Sequence, residues 1–178
     1  PGNDGSLLIV VGDVSGKGLK AAMTVSAIVG ALRGCALRAP AEVLAYLNRI
    51  LHGQISGFAT CAAVSIAADG AMTIANAGHL SPYRNSQEMT IHSGLPLGIV
   101  ADGRYEEVHA ALAPGERLTF VSDGVAEARN KTGELFGFDR TAAISLEPAI
   151  AIANAAQRFG QEDDITVLTV ARLATSVV

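Results

Sequence analysis

The sequence predicts an α+β domain built on antiparallel sheets, and three observations carry that reading. Apolar runs of strand length follow one another through hairpin signals. The helical patterns fall in separate blocks instead of alternating with the strands. Of the 178 residues, 49% are hydrophobic and 17% charged, which is material for one sizeable core. Tryptophan is absent and aromatic residues make up 4%, so that core must be aliphatic and alanine-rich. No repeat, low-complexity tract or linker interrupts the chain, and a single domain over residues 1–178 is expected.

Asn3-Asp4-Gly5 reads as a tight turn, and Leu7-Leu8-Ile9-Val10-Val11 as a strand buried on both faces. A nearly all-apolar helix is expected from about Gly16 to Leu37, with Ser15 able to cap it. Pro40 starts a second helix that carries Val43, Leu44, Leu47, Ile50 and Leu51 on one stripe. Strand signals then take over. Phe58–Ala67 and Met72–Ala75 flank Asp69-Gly70, a strong hairpin signal. Short strands are expected at Ser81–Arg84, Met89–His92, Tyr105–Ala110 and Arg117–Val121. The polar, glycine-bearing stretch Glu127–Gly137 reads as a flap or loop. Alanine-rich helices over Phe138–Ile144 and Pro148–Phe159 precede a last strand, Ile165–Arg172.

Several classes are excluded or disfavoured. A net charge of −4 leaves no electrostatic footprint for nucleic acid or an anionic membrane. The uncharged stretch Ala21–Leu32 falls short of the roughly 18 apolar residues that a bilayer span needs. No basic segment with a cleavage site opens the chain, and a cytoplasmic protein is expected. Cys35 and Cys61 stand in no motif and read as small buried hydrophobes in a reducing compartment.

The chemistry-bearing residues are carboxylates at strand ends. Asp13 follows the first apolar strand in Gly12-Asp13-Val14-Ser15-Gly16-Lys17-Gly18, where glycines let the backbone approach a ligand closely. Asp123-Gly124 ends the strand through Val121, and Asp163-Asp164 stands directly before the last strand. Singly, each reads equally well as a turn or cap residue. Together they point to one shared site for hard divalent cations, which take carboxylate, carbonyl and water oxygens. No Cys/His cluster of the structural-zinc kind accompanies them. Neither phosphate-loop pattern fits: Gly18 follows Lys17 where Ser or Thr is required, and Gly16-Lys17-Gly18 runs on into Leu19-Lys20-Ala21. His79, in Asn76-Ala77-Gly78-His79, reads as a proton shuttle or, more commonly, as a residue tying down its loop. Arg129 and Lys131 on the polar loop are candidate substrate contacts, as is Lys17 at the helix start.

Four ordered motifs carry a resemblance. GDVSGKG at 12–18, NAGHLSPY at 76–83, SDGVAEARN at 122–130 and GQEDDITVLTV at 160–170 resemble the SpoIIE-like bacterial branch of the type 2C metal-dependent serine/threonine protein phosphatases (the PPM superfamily). The likeness runs from about residue 4 to residue 172. It implies a four-layer αββα sandwich, two antiparallel sheets flanked by helix pairs. It implies two Mn²⁺ or Mg²⁺ ions, with Asp13 bridging them, the Val14 carbonyl binding one, and Asp123 and Asp163 completing the second site. A metal-activated water would attack phosphoserine or phosphothreonine in line, on an anti-anti-sigma-type regulatory protein. The domain would serve as the output module of a signalling protein with an upstream sensor, and would itself contact neither nucleic acid nor membrane. There are departures from the family pattern. The chain begins at the turn after a strand that carries a Gly-Gly-Asp-aromatic-aromatic-Asp pattern in the family, so an N-terminally truncated domain is expected. Ser15 stands where eukaryotic relatives carry a histidine. A non-catalytic docking module that keeps the fold is the alternative reading.

Overall fold

The computed structural model describes residues 5–55 and 57–174; the turn expected at Asn3-Asp4 lies outside them. In chain order the elements are β1 (Leu7–Val14), α1 (Leu19–Arg33), α2 (Pro40–Leu51), β2 (Ala59–Ile66), β3 (Ala71–Ala77), β4 (Tyr83–Arg84), β5 (Gln87–Glu88), β6 (Ser93–Gly94), β7 (Glu107–Ala111), β8 (Arg117–Val121), α3 (Asp123–Ala126), α4 (Gly137–Ile144), α5 (Ala149–Gly160) and β9 (Val167–Ala171). They divide into two compact units with one sheet each. The first comprises residues up to His79 together with Ile91–Ala111, and the second Leu80–Thr90 together with the chain from Leu112 onward. No helix among the described residues is long and apolar enough to cross a membrane.

In the first unit the sheet runs β1-β2-β3-β6, with β7 also paired to β3. β1 and β2 are antiparallel over their full length, from Leu7 opposite Ile66 to Val14 opposite Ala59. The Asp69-Gly70 hairpin joins β2 to β3 as expected, and Asp69 Oδ1 accepts the Ala71 amide. Only the two-residue β3–β6 pairing is parallel. Helix α2 packs Val43, Leu44, Leu47 and Leu51 onto Ala59, Cys61 and Ala63 of β2 and Ala75 and Ala77 of β3. The small sheet residues let the leucines approach the backbone closely. Ile50, expected on the same stripe, is only half-buried, whereas Asn48 is buried there. Its amide donates to the carbonyls of Val100 and Ala101 and its Oδ1 accepts Gly98 N–H, which ties the 97–103 loop to the helix. Leu44→Ala is expected to cost about 2–5 kcal/mol, read as a lowered urea midpoint at unchanged slope.

Helix α1 is shorter than the sequence suggests. Gly16 and Gly18 lie at φ 90° and 77°, outside helical space, so the helix starts only at Leu19. It closes at Arg33, where the Gly34 amide bonds back to Gly30. Its apolar residues are not all enclosed: Leu19 is 77% exposed and Met23 63%.

The second unit holds the sheet β5-β4-β8-β9, antiparallel throughout. The strand expected at Met89–His92 lies elsewhere: the hairpin partner of β4 is Gln87–Glu88. Asn85 and Ser86, at φ 50° and 67°, form the left-handed two-residue turn that sets this earlier register. Strand β4 is shorter than expected because it starts only after Pro82, which has no amide to give a ladder. The core gathers Val121, Val125, Ala128, Phe136, Ile152 and Ala156, with Phe136 and Phe159 edge to face at 5.4 Å.

Candidate metal centre

Asp13 sits at the β1 corner of the first unit, opposite Thr60 on β2. The corner is held tightly. A Cβ on Gly12 would stand 2.6 Å from the Thr60 carbonyl oxygen and against the Cys61 sulfur, so only glycine lets β2 approach here. Ser15 does not cap α1. Its amide donates to the Phe58 carbonyl at 2.9 Å and its hydroxyl accepts the Phe58 amide at 2.8 Å, which carries the pairing one step past Val14. The helix start at Gly18 has no side-chain cap, and a loop hydroxyl spent on a neighbouring strand cannot serve both. A pocket of about 180 Å³ opens between β1, β2 and α1, lined by Asp13, Val14, Ile28, Leu32 and Cys61 among others.

Both cysteines are free; Cys61 is buried as expected, whereas Cys35 is only half-buried. Burial, and then the Asp13 charge, push the Cys61 thiol from its ordinary 9.0 up to about 12. Native Cys61 should therefore resist a thiol reagent at pH 8 and react only on unfolding. The linkage has a definite sign. Between 9 and 12 the unfolded chain loses this proton while the folded chain keeps it, so stability falls as pH rises through that window. Tyr105, also pushed up to about 12 chiefly by burial, adds to the same alkaline loss. Melting curves from pH 8 to 11 check it.

The second unit builds the other corner. Ser122, directly after β8, is fully buried, and Asp123 opens α3 with its side chain exposed. The Ser122 hydroxyl donates to the Asp164 carbonyl at 3.2 Å and accepts the Thr166 amide at 2.9 Å, while its own amide donates to the Thr166 carbonyl. A Cβ on Gly124 would collide with the Asp164 carbonyl. The Asp123-Gly124 turn and the Asp163-Asp164 segment are thus in backbone contact, and Ser122 staples them. Asp163 Oδ1 accepts the Asp164 amide at 3.0 Å, and its carbonyl accepts the Gln161 side chain.

The remaining expected residues divide. His79 is buried, with Nδ1 3.0 Å from Thr60 Oγ1. Lys17 and Lys131 are exposed. Arg129 pins its loop: its amide donates to the Gly160 carbonyl, its guanidinium donates to Gly133, and it faces Glu162 at 3.7 Å. The expected flap is an ordered hairpin in which Asn130 Oδ1 accepts the amides of Thr132 and Glu134. Glu134 is held below the usual carboxylate range by hydrogen bonding to Arg140, then by that residue's charge. Nothing in the sequence singles out Ser122 and Thr60, because a hydroxyl residue inside or next to an apolar strand gives no local signal of its partner.

Among the described residues, no group of three or more His, Cys, Asp or Glu gathers that would hold a metal by itself. The donors suit Mg²⁺ or Mn²⁺, which are hard ions commonly bound through one or two carboxylates while keeping several waters. Asp123 and Asp163, on touching segments, carry oxygens of this kind, as do Asp13 and the Val14 carbonyl.

The family model described as Stage II sporulation protein E (SpoIIE) matches residues 3–173. Phosphoserine phosphatase RsbU of Bacillus subtilis is 34% identical over 140 residues, covering 73% of this chain and 42% of that protein. The chain therefore spans less than half the length of this curated relative. The SiaA-PP2C domain of Pseudomonas aeruginosa matches at TM-score 0.77 and 24% identity over 96% of this chain and 77% of that one, a likeness of fold. The RsbU and RsbW domains of Rv1364c from Mycobacterium tuberculosis match at TM-score 0.72 and 26% identity, over 96% of this chain and 53% of that one. With the PP2C fold and a family match that runs almost from end to end, the chain belongs to the SpoIIE family of PP2C-type phosphatases.

Proposed function

We propose that this chain is a metal-dependent protein phosphatase that hydrolyses phosphoserine or phosphothreonine on a small regulatory protein of the anti-anti-sigma type. Its two units would act as one phosphatase domain over residues 1–178, the output end of a signalling protein with an upstream sensor. The observation that carries the reading is the Ser122 staple, which holds the Asp123 turn against the Asp163-Asp164 segment. The family match supports it, as does the name of the Bacillus relative, a phosphoserine phosphatase.

In this reading Asp13, the Val14 carbonyl, Asp123 and Asp163 hold two Mg²⁺ or Mn²⁺ ions. Such ions lower the pKa of a bound water and offset the charge that develops on the phosphoryl oxygens. The chain's own residues do the placing. Ser122 and the Gly124 contact fix the second corner, and the Gly12–Cys61 contact fixes the first. Lys131 at the tip of the ordered hairpin gives an exposed cation for the acidic phosphoprotein, while Arg129 holds the hairpin's base.

The test is hydrolysis of an aryl phosphate and a phosphoserine peptide with Mn²⁺ or Mg²⁺ and with excess chelator. Turnover that requires the metal and stops with chelator is expected. Binding of a phosphorylated partner with no turnover under any metal would replace the phosphatase by the docking module.

A further inference from the structure

The alanine-rich first sheet contains a row of polar residues that its packing does not need. Asn76, on β3, is buried, and its side chain clasps His79 from both sides: Nδ2 donates to the His79 carbonyl at 2.7 Å and Oδ1 accepts the His79 amide at 2.8 Å. Gly78 between them takes φ 76°, and a Cβ there would stand 2.6 Å from Pro96 Cγ. The turn can therefore close only one way, and it brings the imidazole over β2. There Nδ1 lies 3.0 Å from Thr60 Oγ1, which in turn lies 3.5 Å from the Asp13 carbonyl oxygen.

We propose that Asn76, His79 and Thr60 form a relay that positions the Asp13-Val14 corner. A hydroxyl carries one proton. Thr60 can engage both neighbours only if the ring donates from Nδ1 and the hydroxyl donates onward to the Asp13 carbonyl. That side-chain bond adds to the β1–β2 pairing of Asp13 with Thr60 in holding the peptide plane that joins Asp13 to Val14. Buried polar groups in a sheet are costly unless fully bonded. In the relay the Asn76 side chain spends its hydrogen bonds on the His79 backbone, His79 Nδ1 meets the Thr60 hydroxyl, and that hydroxyl reaches the corner. All three are positioning residues, acting on Asp13 from behind. The consequence for metal affinity rests on the metal reading above; the consequence for the corner itself does not.

The experiment uses the whole chain and the variants Thr60→Val, Thr60→Ser, His79→Leu and His79→Asn. Amide hydrogen exchange is read at residues 12–15 without metal, Mn²⁺ affinity by calorimetry, and the His79 tautomer by ¹⁵N NMR. Thr60→Val should speed exchange at 12–15 by about fivefold, the effect of one lost neutral hydrogen bond. It should weaken Mn²⁺ binding about tenfold, as loss of an outer-shell partner does. Thr60→Ser should match the parent in both, His79→Leu should follow Thr60→Val, and His79→Asn should recover part of the loss. A ring protonated only at Nε2 would overturn the relay. So would a Thr60→Val variant whose exchange at 12–15 is unchanged, or is raised only in step with the rest of the sheet. A parent that binds no Mn²⁺ but shows the local exchange pattern would sink the metal reading and leave the relay standing. A parent that binds Mn²⁺, with Thr60→Val exchanging like it, would do the reverse. Should the His79 variants fail to fold, the Thr60 pair decides alone.

Discussion

Asp123→Asn is expected to lower metal-dependent kcat/KM by about 10³-fold or more while the melting temperature stays within a degree or two of the parent. The two halves of this result have separate causes. The Asp123 side chain is exposed at the start of α3, so replacing it by its neutral near-isostere removes no packing. What it removes is a hard anionic donor. The transition-state stabilisation a divalent ion gives a phosphoryl group is several kcal/mol, and each 1.36 kcal/mol is tenfold in rate. Asp13→Asn and Asp163→Asn should behave alike. Asp164→Asn is the informative neighbour, since it is the Asp164 backbone carbonyl, not the carboxylate, that accepts the Ser122 hydroxyl. That variant should stay within a few fold of the parent. Full activity in Asp123→Asn, or equal losses at 163 and 164, would undo the assignment of ligands. Steady-state kinetics over a Mn²⁺ series, with thermal melts alongside, reads both halves.

The elements that the sequence declares most clearly are those set by local chemistry. Asp69-Gly70 announces the β2–β3 hairpin, Pro40 and the leucine spacing announce α2, and β8 lies over Arg117–Val121 as expected. Where the structure departs from expectation, backbone geometry or length outweighs composition. Residues Gly16 and Gly18 delay α1 by three residues despite an apolar run that favours it throughout. Two-residue strands such as β4 and β5 have no periodicity to read, and their register follows from the Asn85-Ser86 turn and the pairing of β4 with β8. Helix α3 is four residues long and begins Asp-Gly, a pair that reads as a turn.

The site divides along the same line. Carboxylates at the ends of apolar strands can be found by scanning the chain, because a strand end is a local property. The groups that hold them cannot. The Ser122 hydroxyl bonds residues 164 and 166, and Thr60 lies between Asp13 and His79, so each contact depends on a partner more than ten residues away. In the sequence these are ordinary strand hydroxyls; the topology alone gives them a role. Cys61 is similar. Its place beneath Gly12 makes it a close-packing partner of the Asp13 corner, while its isolation in the sequence marks it only as a small apolar residue.

Gly124→Ala is the strongest test of how the second corner is built, because helix propensity and tertiary contact make opposite predictions. Glycine in a helix interior is about 0.8–1.0 kcal/mol less favourable than alanine, so on local grounds the change should stabilise α3. The contact reverses the sign. An added Cβ would collide with the Asp164 carbonyl, and both parties are backbone, with no flexible side chain to give way. Either α3 shifts, displacing Asp123, or the Asp163-Asp164 segment moves off and breaks the Ser122 staple. Overpacking costs typically about 1–3 kcal/mol, and a buried donor or acceptor left unmade adds about 1–3. Less the propensity gain, a net loss of roughly 1–5 kcal/mol is therefore expected, with Mn²⁺ affinity falling further than stability alone would require. Ser122→Ala separates the two contributions by removing the staple without the clash. Gly133→Ala separates backbone strain from contact, since that glycine lies at φ 83° with nothing near its missing Cβ; a cost nearer 1 kcal/mol and unaltered metal affinity are expected there. If Gly124→Ala instead gains stability and binds Mn²⁺ as the parent does, the two segments are not in contact in solution. The carboxylates at 123 and 163 would then need some other reason to act together.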